Sequence, residues 1–93
     1  MSLETLATKY ISMAEKVLNK IILNPTPINL NEEKITEILH WATDYLKDAK
    51  YYKTQGKLET SLASVVYCEG ILDALRLMGA VEFEWPTNQI KEK

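Results

Sequence analysis

The sequence predicts an all-α protein: a three-helix up-and-down antiparallel bundle with a short extended C-terminal tail. Three observations carry this expectation. Three segments of about 20 residues each repeat their apolar positions at spacings of three and four, the period of one helical face. The connections between them are short and marked by proline or glycine. Only three glycines and three prolines occur in 93 residues, which suits long helices better than a turn-rich sheet protein.

The first helix is expected over about 3–23. Leu3, Leu6, Ala7, Tyr10, Ala14, Val17, Leu18 and Ile21 share one face, and Thr8, Ser12, Glu15, Lys16 and Asn19 fall on the other. Ser2 is placed to cap the helix, and Asn24, Pro25 and Pro27 to end it, because proline lacks the amide hydrogen. The second helix is expected over about 32–55. Asn31 stands at its N-cap, Glu32 and Glu33 at the positive end of its dipole, and Leu30 and Ile35 at the spacing of a hydrophobic staple. Its apolar face reads Ile35, Ile38, Leu39, Ala42, Tyr45, Leu46, Ala49 and Tyr52, and Gly56 supplies the left-handed stop.

The third helix is expected over about 58–78, stopped by Gly79. Apolar or small residues cover most of its circumference, so it is expected to be the most enclosed element. Glu69, Asp73 and Arg76 interrupt this within one arc of about 60°. Ala63, Gly70 and Ala74 form a separate small-residue seam where a neighbouring helix could come close. In the tail, 79–93, Val81, Phe83 and Trp85 alternate with Glu82 and Glu84, so one side is apolar and suited to lie across an open end of the bundle. Residues beyond Thr87 are expected to fray.

Composition bounds the function. The net charge is −2, and Arg76 is the only arginine. The pI is about 5.4. Neither fits the basic face of a nucleic-acid binder. One cysteine, Cys68, permits no internal disulfide. No run of about 18 apolar residues suggests a membrane span, and the first residues lack the pattern of a signal peptide. The expectation is a single cytoplasmic domain over 1–93 with no membrane partner.

Four groups of side chains merit weighing as sites. Glu37, His40 and Asp44 lie on successive turns of the second helix. Glu-x-x-His is a di-iron bundle spacing, but a complete site needs a second copy of it, and these residues lie opposite the apolar arc. They are weak metal candidates beside the plainer reading as a solvated face, and no cofactor is expected. Cys68 has an acid, Glu69, as its neighbour rather than a base, which suits a buried structural thiol. Trp41, Tyr45, Tyr52, Phe83 and Trp85 are aromatic positions suited either to the core edge or to a docking surface. Glu69, Asp73 and Arg76 form the candidate functional stripe. It is either a wet edge with a surface ion pair or a partly buried acidic pair that receives a cation. No phosphate loop, zinc-ligand cluster or serine–histidine–acid set appears, so enzyme is the less favoured class.

The stretch DAKYYKTQGKLETSLASVVYCEGILDALRLMGAVEFEW, Asp48 to Trp85, resembles the archaeal family known as domain of unknown function 357. The aromatic pair before Gly56, then Ala63, Tyr67, Gly70, Leu72, Asp73, Ala74 and Gly79, carries the likeness. Cys68 departs from it, standing where a small residue is expected. The resemblance implies a small archaeal three-helix bundle and importance at Tyr67, Gly70, Leu72, Asp73, Ala74 and Gly79, with no activity attached. Similar domains sometimes follow a nucleotidyltransferase-like domain. Together these readings favour a non-catalytic protein–protein interaction or assembly module that binds itself, as a homodimer, or another protein. The alternative is an accessory domain that binds a small ligand or metal.

Overall fold

A computed structural model describes residues 2–24 and 28–86. The fold is all-α, with helices α1 (Leu3–Lys20), α2 (Glu32–Thr54) and α3 (Leu58–Leu77) and no strand among the described residues. The expected stop at Pro25 and Pro27, and the expected fraying beyond Thr87, lie outside the described residues.

The helix ends follow from their capping residues. The Ser2 hydroxyl accepts from the Thr5 amide at 3.0 Å, and the Asn31 carboxamide accepts from the Lys34 amide at 2.8 Å. At the far ends, Gly56 (φ 75°) and Gly79 (φ 77°) adopt the left-handed conformation that a side chain disfavours. Each lies in a paired closing motif. The Lys57 amide reaches the Tyr52 carbonyl and the Gly56 amide the Lys53 carbonyl. Likewise, the Ala80 amide reaches Leu75 and the Gly79 amide Arg76. α1 stops at Lys20, three residues earlier than expected, with Ile21 already extended. Two consecutive β-branched residues, Ile21 and Ile22, add little helix propensity, and both are exposed, so no packing holds a further turn.

Close helix packing joins α2 to α3. Tyr45 stacks on Tyr67 with ring centroids 4.3 Å apart, and the Ser61 hydroxyl donates to the Ala49 carbonyl at 2.7 Å. As one index rises the other falls, so the pair is antiparallel. The buried residues come from these two helices: Ala42 and Ala49 from α2, Cys68 and Leu75 from α3. The two alanines let the backbones approach, and Leu75, fully excluded from solvent, fills the space between. Ile35, Ile38, Leu39, Tyr45 and Tyr52 are half-buried on the same side of α2, the face expected from their spacing; Leu46 sits exposed at its edge.

One expectation holds in part and another is corrected. α3 has the largest share of buried and half-buried residues of the three helices, yet one side of it is open, for Leu62 (64 % exposed), Val66 (55 %) and Leu77 (82 %) stand in solvent. A single neighbour covers one side of a helix, and α1 does not cover the other: none of its residues is buried. The small-residue seam holds no close neighbour either. Ala63, Gly70 and Ala74 are exposed, and a Cβ added at Gly70 would meet no heavy atom within 4 Å.

Leu75 is the side chain with most to lose. Leu75→Ala should cost about 2–5 kcal/mol, from lost transfer energy plus the cavity left between α2 and α3. Urea melts followed by circular dichroism check this; a loss under about 1 kcal/mol would mean that the α2–α3 seam is not the core.

Candidate functional site

The end of α3 and the segment after Gly79 build the most organised group of polar side chains. Asp73 and Arg76 stand one turn apart, so their side chains can meet. The Arg76 guanidinium donates to Asp73 Oδ1 at 3.4 Å. The left-handed turn at Gly79 then sends the chain back beside α3. There Trp85 Nε1–H donates to the same Asp73 oxygen at 2.8 Å. Phe83 packs edge-on against Trp85 with centroids 4.9 Å apart, and the Arg76 guanidinium lies 5.4 Å from the Phe83 ring centroid. Val81, Phe83 and Trp85 are half-buried while Glu82 and Glu84 are exposed, following the alternation in the sequence.

Asp73 is thus neither fully wet nor sealed: its side chain is 44 % exposed and accepts two hydrogen bonds. Glu69, the third member of the stripe, is exposed. The carboxylate organises the tail, with the indole as its strongest partner, since a short bond to an ionised acceptor outweighs an exposed ion pair at 3.4 Å. The Trp85–Asp73 bond was missed in reading the sequence. Its signal was present: the two-residue period puts Phe83 and Trp85 on one side, and Asp73 is an acid within the last two turns of α3.

The other candidates fall in different places. Glu37, His40 and Asp44 are exposed on α2, and Glu37 pairs with Lys34 at 3.2 Å. Among the described residues no three acidic, histidine or cysteine side chains gather as a metal site would require. Trp41 is exposed, at the mouth of a shallow hollow with Asp44, Tyr45, Lys47 and Asp48. Tyr45 lies instead in the helix seam. Its burial, then the adjacent Tyr67 hydroxyl and the Asp48 carboxylate, raise its phenol above the ordinary value. Tyr52 meets Tyr51 edge-on at 5.3 Å. Of the signature positions, Leu72 is half-buried, Tyr67 holds the stack on Tyr45, and Gly79 makes the turn that returns the tail; Gly70 and Ala74 line the open side of α3.

A family model described as "Protein of unknown function (DUF357)" matches residues 9–81. The chain belongs to this family. No curated protein and no solved structure matches it. The DUF357 match takes in most of α1, all of α2 and α3, and the closing turn at Gly79, a wider span than the resemblance read from Asp48 to Trp85. It stops short of Phe83 and Trp85. Asp73 and Arg76 therefore lie within the matched span, whereas the aromatic pair they hold lies past its end. No helix of the described residues is long and apolar enough to cross a membrane.

Cys68 is buried, and its burial, then the Glu69 carboxylate, push the thiol above its ordinary value. Ellman's reagent should label it far more slowly in the folded chain than in urea. A folded-state rate near the unfolded one would show an accessible thiolate. The sign for stability follows. The unfolded thiol loses its proton first as pH rises, so the native state loses stability from about pH 8.5 upward, and below that the contribution is complete.

The tail contact gives a second test. In a Trp41→Phe background, Asp73→Ala should lower stability by about 1 kcal/mol and red-shift Trp85 emission, whereas Asp73→Asn, which keeps Oδ1, should preserve the emission. Unchanged emission in the alanine variant would mean that the indole does not depend on Asp73.

Proposed function

We propose that this DUF357 chain is a non-catalytic helical module for protein–protein assembly. One observation carries the reading: α3 is apolar on two sides and α2 covers only one. The other side runs from Leu62 through Val66 and Gly70 to Leu77, and it carries large exposed apolar side chains at helical spacing. Such a face, beside a first helix that is itself amphipathic and unburied, suits a helical partner. In this reading Asp73 and Arg76 anchor the tail at the C-terminal end of that face rather than bind a ligand.

Native mass spectrometry of the chain, purified under gentle conditions without chelator, tests the reading. The expected result is a complex with a polypeptide, either further copies or a foreign chain, that is lost in Val66→Glu. A bare 10.7 kDa chain throughout, or one carrying only a small molecule or metal, would overturn it.

A further inference from the structure

Between α1 and α3 lies a shallow apolar groove of about 590 Å³, lined by Tyr10, Glu59, Leu62, Ala63, Val66 and Tyr67. Tyr10 is the one α1 residue at its edge, and α1 buries no residue there or elsewhere. The chain's own first helix brushes the groove and leaves it open.

We infer that the groove is the seat of α1 from a second copy, so that two chains exchange their first helices and close into a dimer. The inference rests on the assembly reading above and names its partner. The exposed apolar surface points to an interface. Leu3, Tyr10, Val17 and Leu18 on α1 and Leu62, Val66 and Leu77 on α3 are each more than half exposed, an unpartnered surface of the kind that a partner covers.

Charge favours the same pairing. α1 carries Lys9, Lys16 and Lys20 against Glu4 and Glu15. α3 carries Glu59, Glu69 and Asp73 against Arg76. Seating α1 on α3 joins opposite net charges, whereas pairing α3 with α3 or α1 with α1 would join like ones.

Geometry permits the exchange. α1 has 18 residues, long enough to span the groove from Glu59 to Tyr67. Residues 21–31 separate α1 from α2, and eleven residues can reach roughly 35 Å, enough to pass to a neighbour. Exchange in both directions uses the same surface twice and closes at two copies.

The test uses the full chain in two steps. Light scattering on a size-exclusion column should give about twice 10.7 kDa at micromolar concentration. Val66→Glu on α3 and Leu18→Glu on α1 should each weaken association at least about 100-fold, because a charge would be buried without a partner. Circular dichroism should show their helix content retained, and having one variant on each helix guards against a single misfolded protein. Then a photo-reactive phenylalanine analogue at Leu62, in an equal mixture of ¹⁴N and ¹⁵N chains, should give cross-linked peptides to α1 that combine both isotopes. A monomer up to about 200 μM would overturn the inference. So would cross-links confined to one isotope, or a dimer joined through α3 and α3. A stable complex with a foreign polypeptide alone would also overturn it, while leaving the assembly reading standing.

Discussion

The structure depends on how closely α2 and α3 approach. The Ser61 hydroxyl reaches the Ala49 carbonyl at 2.7 Å only because alanine, not a larger residue, stands at that point of α2. The same approach stacks Tyr67 on Tyr45 and closes Leu75 off from water. A hydroxyl-to-carbonyl bond contributes only about 1 kcal/mol. Its larger effect is to fix the relative height of the two helices, and with it which residues of α3 face inward. Cys68 and Leu75 are buried as a result. Leu62, Val66 and Leu77, on the opposite side, are left to solvent.

That division explains the character of the molecule. The core is small and made by two helices, so a sequence with 46 % hydrophobic residues exposes many of them. A small domain already buries a modest share of its surface. Here α1 adds nothing to the buried set, and the apolar sides of α1 and α3 remain available. The polar work of the structure is concentrated at the other end, where one carboxylate, Asp73, gathers a guanidinium and an indole and brings the tail back onto α3.

Much of this was legible in the residues. Ser2, Asn31, Gly56 and Gly79 announced the helix ends because capping is local chemistry that needs no tertiary context. The inward face of α2 was readable from the spacing of Ile35, Ile38, Leu39, Ala42 and Ala49. α3 was not readable in the same way, since a helix apolar all round does not say which side its neighbour takes. Its enclosure was therefore overestimated, and Gly70 was assigned a close neighbour that it lacks. The aromatic set divided for a related reason. Tyr45 and Trp41 are four residues apart on one helix, yet one enters the seam and the other faces water, a choice made by the register of α3. The Asp73–Trp85 bond joins residues twelve apart across a turn, and only the return of the chain at Gly79 brings them together.

The tight turn at Gln55, Gly56 and Lys57 has a kinetic consequence. It makes the α2–α3 pairing a contact between near neighbours along the chain, and such pairings close early and fast. The hairpin can form before α1 has found any surface to rest on. On the proposed assembly, folding and association are then separate events: the first is set by the chain itself, and the second by how many chains are present.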